Sequence, residues 1–387
     1  MISMRLRSIT SVKNLKGKRV LVRIDANVPI ENGSVVDGLH GRIAQASKGI
    51  VWLSKKGARV IVVSHLGRPK GRRKASESLK PVAVRLEQLL KRKIFFGKTD
   101  GLKDGQIALL ENIRFDSREE KNDKKFAQEL ASLADIYVND AFGVSHRSHV
   151  SVEAITVFLP SYAGPLLVEE VKQLSRLVMK PKKPMIVVLG GAKLETKVGV
   201  LACLAPKADR LLIGGAIATT FLVAQGKKVG KSFYEPEHVK TAKKILKKFG
   251  KKILLPVDVR VVKDIKRDRS PRNLDIKDVG AHDIIVDIGQ RSMRQYVREL
   301  EGAKTVVWNG PFGVCEVSQF CESTQWLARV IANLKASVKV VGGGDTVPII
   351  ESLGIADRFT HVSTGGGAML DFLAVKKLPG IEPLVIR

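Results

Sequence analysis

Acidic residues are scarce in this chain: 38 Asp and Glu stand against 67 Lys and Arg over 387 residues, leaving a formal charge of +29. Such a field attracts nucleic acid, anionic membranes and phosphorylated metabolites alike, so sign alone does not choose a partner. Cysteine is scarcer still. Cys203, Cys315 and Cys321 form an odd set with no CxxC pair and no histidine at zinc spacing, which excludes a zinc module and implies a reducing compartment. No apolar run approaches the ~18 residues of a membrane span, and the opening MISMRLRSIT lacks the hydrophobic stretch of a secretory signal. The expectation is a cytoplasmic protein without a membrane anchor. His65 and His146 stand beside no serine or cysteine nucleophile motif, so a hydrolytic triad is not expected.

What is present is a repeating pattern. Hydrophobic residues make up 44% of the chain, too balanced for disorder and spread over too many residues for one ordinary core, so two globular domains are expected. Short apolar runs recur, each closed by Gly, Asp, Asn or His: RVLVRID (19–25), RVIVVSH (59–65), IALLEN (107–112) and IYVND (136–140). The rhythm resumes with MIVVLGG (185–191), RLLIGG (210–215), ILLPVDV (253–259), IIVDIG (284–289), TVVWNG (305–310) and KVVGGG (339–344). Continuous apolar strands alternating with helices indicate parallel sheets covered on both faces, hence two doubly wound α/β domains. Leu167, Val171, Leu174 and Val178 recur at helical spacing between the halves, and the pattern stops at Pro181-Lys182-Lys183-Pro184. The boundaries read 1–163 for a first domain, 164–180 for a connecting helix and 181–371 for a second domain.

In doubly wound sheets ligands bind beyond the carboxyl ends of the strands. In the first half those positions carry Asp25, Asn27, His65, Arg68, Arg114, His146 and Arg147, with Arg42 at a helix start. Guanidinium groups grip phosphate and carboxylate at two points, so their convergence predicts a strongly anion-binding pocket. The second half is rich in glycine turns: Gly190-Gly191-Ala192-Lys193, Gly214-Gly215, Gly342-Gly343-Gly344-Asp345-Thr346 and Gly365-Gly366-Gly367. Glycines let backbone amides approach phosphate oxygens, and a following helix adds its positive end. Asp345 suits magnesium bridging nucleotide phosphates, or a helix cap. Gly230-Lys231-Ser232 is not a P-loop, because the required earlier glycine falls at Gln225.

Taken in order, RIDANVP, SHLGRPKG, LLENIRF, DAFGVSHR, LGGAKLETK, WNGPFGVCE, GGGDT and STGGGAMLD resemble the motif set of the phosphoglycerate kinase family, from Arg23 to Asp371. The resemblance implies two Rossmann-like domains facing across a hinged cleft, acid substrate on the first and nucleotide on the second. It also implies that the tail, about 372–387, packs back on the first domain. Carried over by motif, Asp25 and Asn27 meet the substrate hydroxyl, while His65, Arg68, Arg114 and Arg147 hold its non-reacting phosphate. Arg23 supports that cluster, His146 adjoins it, and Arg42 faces the reacting group. On the other side Lys193 meets the transferring phosphoryl and Lys197 the nucleotide phosphates. Asn309 lies near the phosphates, and Glu316 meets the ribose. Asp345 with Thr346 serves metal and phosphate, and Gly214, Gly215 and Pro311 line the adenine side. Gly342 and Gly343 belong to the phosphate turn, and amides near Gly344 and Gly365 stabilise the moving group. The partners implied are 3-phosphoglycerate or 1,3-bisphosphoglycerate with ADP or ATP as Mg2+ complexes, on a monomer, with a homodimer as the alternative. The sequence departs from the family pattern at Ala26, at Leu39-His40, and at Ala216, Gln290 and Ser323, none of which is a proposed phosphate ligand.

A carboxylate acceptor is already ionised at pH 7, its reference pKa being ~4, so such a reaction needs no general base. It needs in-line alignment and neutralisation of charge on the moving group. A nucleic-acid-binding reading would rest on Lys240, Lys243, Lys244, Lys247, Lys248, Lys251 and Lys252. Few aromatics interleave there, and Val239, Ala242, Ile245, Leu246 and Phe249 form an apolar stripe, so a solvated amphipathic helix is expected instead. A kinase for another acyl phosphate is the remaining alternative, against which Arg68, Arg114 and Arg147 favour an acid carrying its own phosphate.

Overall fold

Runs of Val, Ile and Leu bury both faces of a strand, and here they build two parallel sheets. A computed structural model describes residues 4–386; the outermost residues of the expected first domain and tail, 1–3 and 387, lie outside the described residues. The chain divides into two units, one of residues 4–175 with 376–386 and one of residues 176–375.

In the first unit β1 (Arg19–Ile24), β2 (Arg59–Val63), β3 (Ile94–Phe96), β4 (Ile107–Leu109), β5 (Ile136–Asp140) and β6 (Ser161–Ala163) lie in the order β3-β4-β2-β1-β5-β6. Every neighbouring pair is parallel. Side chains of β1 alternate between two cores: Val20, Val22 and Ile24 pack with Ile43, Ile50 and Leu86, while Leu21 packs with Tyr137, Leu130 and Ile155. Helices α1 (Arg42–Lys55), α2 (Lys80–Leu90) and α3 (Lys124–Ala131) supply the covering residues. Each such side chain, taken fully out of water, contributes about 1.5–3 kcal/mol. The chain turns back between β1 and β5, so their carboxyl ends flank the switch point where a ligand crevice forms.

The last described residues complete this unit. Arg7 N donates to Leu384 O at 2.8 Å, and Gly380 N to Ser145 O at 2.9 Å. A Cβ on Gly380 would stand 2.6 Å from Val152 Cγ1, so only glycine fits that approach. Helix α4 (Pro165–Met179) starts with proline, whose missing N–H costs nothing there, and buries Leu167, Val171, Leu174 and Val178. Asp140 at the end of β5 accepts from Leu167 N at 3.0 Å, and burial pushes its carboxyl up to about 7.

The second unit holds β7 (Met185–Leu189), β8 (Arg210–Ile213), β9 (Ile253–Leu254), β10 (Asp258–Val262), β11 (Arg272–Asp275), β12 (Ile284–Ile288), β13 (Thr305–Asn309), β14 (Val338–Gly342) and β15 (His361–Ser363). Six of them form a parallel sheet ordered β9-β8-β7-β13-β14-β15, reversing between β7 and β13. Its helices are α5 (Val198–Leu204), α6 (Gly215–Ala224), α7 (Val239–Phe249), α8 (Gln290–Leu300), α9 (Glu322–Asn333), α10 (Val347–Ser352) and α11 (Gly366–Leu373). Two expected parallel strands are otherwise disposed. The run 253–259 is broken at Pro256, and its second part, β10, pairs antiparallel with β11 and β12 in a separate three-stranded sheet. The reason is the connection: between Val262 and Ile284 the longest helical element is the single turn Ile276–Asp278, and a parallel return needs a crossover of a dozen or more residues.

Helix α7 has the expected amphipathic form, with Ala242 buried and Lys240, Lys243, Lys244, Lys247 and Lys248 exposed. No helix among the described residues is long and apolar enough to cross a membrane.

Candidate functional site

Polar residues just past the strand ends gather at one place in each unit. In the first unit Arg23, the last residue but one of β1, is fully buried. Its Nε donates to Ser151 Oγ at 2.9 Å, Nη1 donates to Ile24 O, and Nη2 meets His65 Nδ1 at 3.1 Å. A guanidinium only donates, so Nδ1 of His65 accepts and the ring proton sits on Nε2. Burial, and then the charges of Arg23, Arg114, Arg42 and Arg147, hold His65 well below its usual range, so the imidazole is neutral. Beneath Arg23 lies Glu119, fully buried, accepting from Ser151 Oγ at 2.6 Å and Ser151 N at 3.0 Å. Arg23 is therefore a buried support for the pocket, its donors committed inside the fold.

Asp25 and Arg42 form an ion pair at 3.3 Å, and Arg42 Nη1 also donates to Asn27 O at 2.8 Å. The Asn27 side chain accepts from Gly67 N at 2.9 Å, fixing the turn of SHLGRPKG. Asp37 accepts from Ile43 N and Ala44 N and so caps α1, placing Arg42 at its first turn. Arg114 is 4% exposed; Nη1 donates to Gly67 O at 2.7 Å, Nε lies 3.3 Å from the Glu120 carboxylate, and Nη2 is buried without a hydrogen-bond partner. Burial lowers its guanidinium to about 10, with Glu120 opposing and Arg147 and Arg23 adding to the shift. His146 and Arg147 are half-buried in the turn after β5. Arg23, Arg42, Arg114 and Arg147 thus converge on His65, whereas Arg68 is exposed and outside the set of charges that act on it.

In the second unit the glycine turns touch one another. A Cβ on Gly190 would stand 2.2 Å from Pro311 O, and one on Gly214 would stand 2.2 Å from Phe312 Cδ1. A cavity of about 570 Å³ opens between these turns, lined by Gly215, Ala216, Pro311, Glu316, Gly344 and Asp345 among others. Lys197 is 7% exposed and donates to Asn309 Oδ1; burial lowers it to about 8, and Asp345 opposes the shift. Asn309 Nδ2 is buried with no partner. Lys193 and Asp345 are exposed. Thr346 is buried, its Oγ1 accepting from Gly310 N at 3.0 Å, so it ties the turn Gly342-Gly343-Gly344 to the end of β13. Gly365 precedes the first turn of α11. The exposed Asp345 carboxylate beside a buried cation and glycine turns fits a magnesium bound mainly through phosphates and water. Glu195, Glu235 and His238 also bring donor atoms within 4.8 Å, but Glu235 is occupied by Leu194 N.

The departures from the family pattern are absorbed locally. Ala26 is buried, its N–H donating to Ser64 Oγ at 2.9 Å. Ser323 donates to Asp287, whose carboxyl burial pushes up to about 7. Gln290 opens α8, whose following amides, of Arg291 and Ser292, are capped by Asp258. Leu39 is 80% exposed, while Ala216 lines the cavity. The cysteine reading needs correction: Cys315 and Cys321 form a disulfide, because the turn between them returns the chain to a Cα separation of 4.5 Å. Cysteine usage therefore gives no support to a reducing compartment.

Sequence reasoning missed Glu119, Ser151 and Asp287. Glu119 sits in the charged run Arg118-Glu119-Glu120-Lys121, which looks like surface, and nothing local reveals its alignment under Arg23.

Comparison with known proteins gives one answer along the chain. The family model for phosphoglycerate kinase matches residues 9–376. A phosphoglycerate kinase of Pelotomaculum thermopropionicum is 45% identical over 385 residues, covering 96% of this chain and 97% of that protein. One of Coprothermobacter proteolyticus is 46% identical over 401 residues, covering 99% and 100%. The solved structure of phosphoglycerate kinase from Coxiella burnetii superposes with a TM-score of 0.85 at 38% identity, covering 98% of this chain and 99% of that one. With arginines gathered beyond the strand ends of one unit and glycine turns beyond those of the other, this chain belongs to the phosphoglycerate kinase family.

Proposed function

We propose that the chain transfers a phosphoryl group reversibly between 1,3-bisphosphoglycerate and ADP, giving 3-phosphoglycerate and ATP, as a cytoplasmic monomer. The observation that carries this reading is Arg114: a buried guanidinium whose Nη2 has no hydrogen-bond partner, in a cluster of four arginines around a neutral imidazole. Guanidinium groups gathered in this way suit a ligand with more than one negative group. Acetate has one; 3-phosphoglycerate carries a carboxylate and a phosphate.

In the ATP-consuming direction the acid's carboxylate attacks without a base. Arg114, Arg147 and the Nε2–H of His65 hold the non-reacting phosphate, and Asp25 and Asn27 orient the hydroxyl. Arg68, exposed on its turn, closes over that phosphate. Arg42 and Lys193 neutralise the moving group, while amides near Gly344 and Gly365 donate to its oxygens. Lys197, braced by Asn309, binds nucleotide phosphates, Glu316 meets the ribose, and Gly214, Gly215 and Pro311 flank the base. Magnesium, when bound, is held by Asp345 and reduces the phosphate charge. Because acid and nucleotide are assigned to different units, the reading requires hinge closure about α4, which also excludes water as a competing acceptor.

The test is ADP release from ATP with 3-phosphoglycerate or acetate as acceptor. Turnover is expected with 3-phosphoglycerate alone; comparable turnover on acetate would reject the substrate assignment.

A further inference from the structure

A second cavity in the 176–375 unit is left unexplained by this chemistry. It is an open groove of about 910 Å³ between the end of α6, the loop after β9 and one face of α8. Lys227, Arg291, Arg294 and Arg298 line it, against one acidic residue, Asp275. Arg291 is already engaged, its Nη2 at 2.6 Å from Asp275. The side chains of Lys227, Arg294 and Arg298 have no ion-pair or hydrogen-bond partner among the described residues. Three unpaired cations around one concavity repel each other, and that cost falls when an anion sits among them.

The spacing on α8 is what makes the charges converge. Positions 291, 294 and 298 are three and four apart, hence on one helical face, while Met293, Tyr296 and Leu300 turn into the core. Aliphatic residues share the lining: Ile253 and Leu254 of the edge strand β9, then Leu255 and Val257. Gln225 and Gln295 add neutral amides to the lining. A lining that combines cations, aliphatic groups and neutral amides suits a ligand with two or more negative groups and a compact apolar body. The size agrees, since small-molecule sites run about 300–1,000 Å³. Nucleic acid fits less well, because no aromatic side chain lines the groove to stack a base.

We propose that this groove is a second ligand site, taking a small organic polyanion of the phosphate or sulfonate class through Lys227, Arg294 and Arg298. It is separate from the glycine turns, and it does not depend on the assignment of the nucleotide cavity.

The test uses the whole chain and two probes. Inorganic tripolyphosphate is titrated calorimetrically into the parent and into Arg294→Glu/Arg298→Glu, whose substitutions lie on an exposed helix face. The parent is expected to bind one equivalent more than the variant, or to bind that equivalent at least about tenfold more tightly. Amide exchange across 253–257 should slow on adding tripolyphosphate to the parent only. The dye 8-anilinonaphthalene-1-sulfonate, which needs an apolar wall beside a cation, should be displaced by tripolyphosphate in the parent and bind weakly to the variant. Unchanged turnover and melting temperature establish that the variant is folded, and Arg294→Lys/Arg298→Lys should retain most of the binding. Identical isotherms for parent and charge-reversed variant overturn the proposal. So does single-stranded RNA binding that depends on Arg294 and Arg298 when tripolyphosphate binding does not.

Discussion

Lys197 shows what it costs to bury a single charge. Its ammonium is buried against Asn309 and lowered to about 8 from 10.5, so keeping it charged inside the fold costs roughly 3 kcal/mol at neutral pH. The base has a lower pKa folded than unfolded, so the cost is full below about pH 8 and is relieved as pH rises toward 10.5. Lys197→Met is therefore expected to raise the melting temperature at pH 7 and to weaken ATP binding at least about tenfold. Its stability advantage should shrink between pH 8 and 10.5; scanning calorimetry across that range checks it, and a constant advantage would contradict the burial argument. The lysine and the asparagine were each legible as strand-end or turn residues, but their contact, 112 residues apart in sequence, was not. The same holds for Arg23 and Glu119: charge type can be read locally, and burial of a carboxylate in a charged run cannot.

At the level of elements, the turn from β8 into α6 depends on Gly214 because Phe312 fills the space a side chain would take. Phe312 is 2% exposed and meets the Tyr296 ring edge-to-face at 5.8 Å, so it cannot move aside freely. Gly214→Ala should cost about 1–3 kcal/mol by overpacking and disturb the cavity wall. Thermal melts would show it, and Gly214→Ala/Phe312→Leu should recover part of the loss; if the double variant were no better, the clash would not be the cause. Parallel strands were readable from apolar runs because both faces are buried. β10 and β12 were misplaced for the same reason, since a buried antiparallel strand has the same composition. Only the length and character of the connection separates the cases, and the stretch after Val262 has no crossover helix.

For the whole molecule the dominant quantity is the charge of +29. Raising ionic strength from about 0.01 to 0.15 M shortens the screening length from ~30 to ~8 Å, which weakens self-repulsion and the attraction of anionic substrates together. Melting temperature and the KM for 3-phosphoglycerate should both rise with salt; a melting temperature that falls would mean the surface charges are net stabilising. Two α/β halves were legible from rhythm alone, whereas the return of the chain end was expected only from the family resemblance, because Gly380 and Leu384 carry no local signal that they complete the first unit. That return orders events on the ribosome. The first unit emerges early, yet its contacts to residues 376–386 wait until the entire second unit has been synthesised. The nascent first unit therefore waits through synthesis of the whole second unit with the Arg7 amide and the Ser145 carbonyl unsealed.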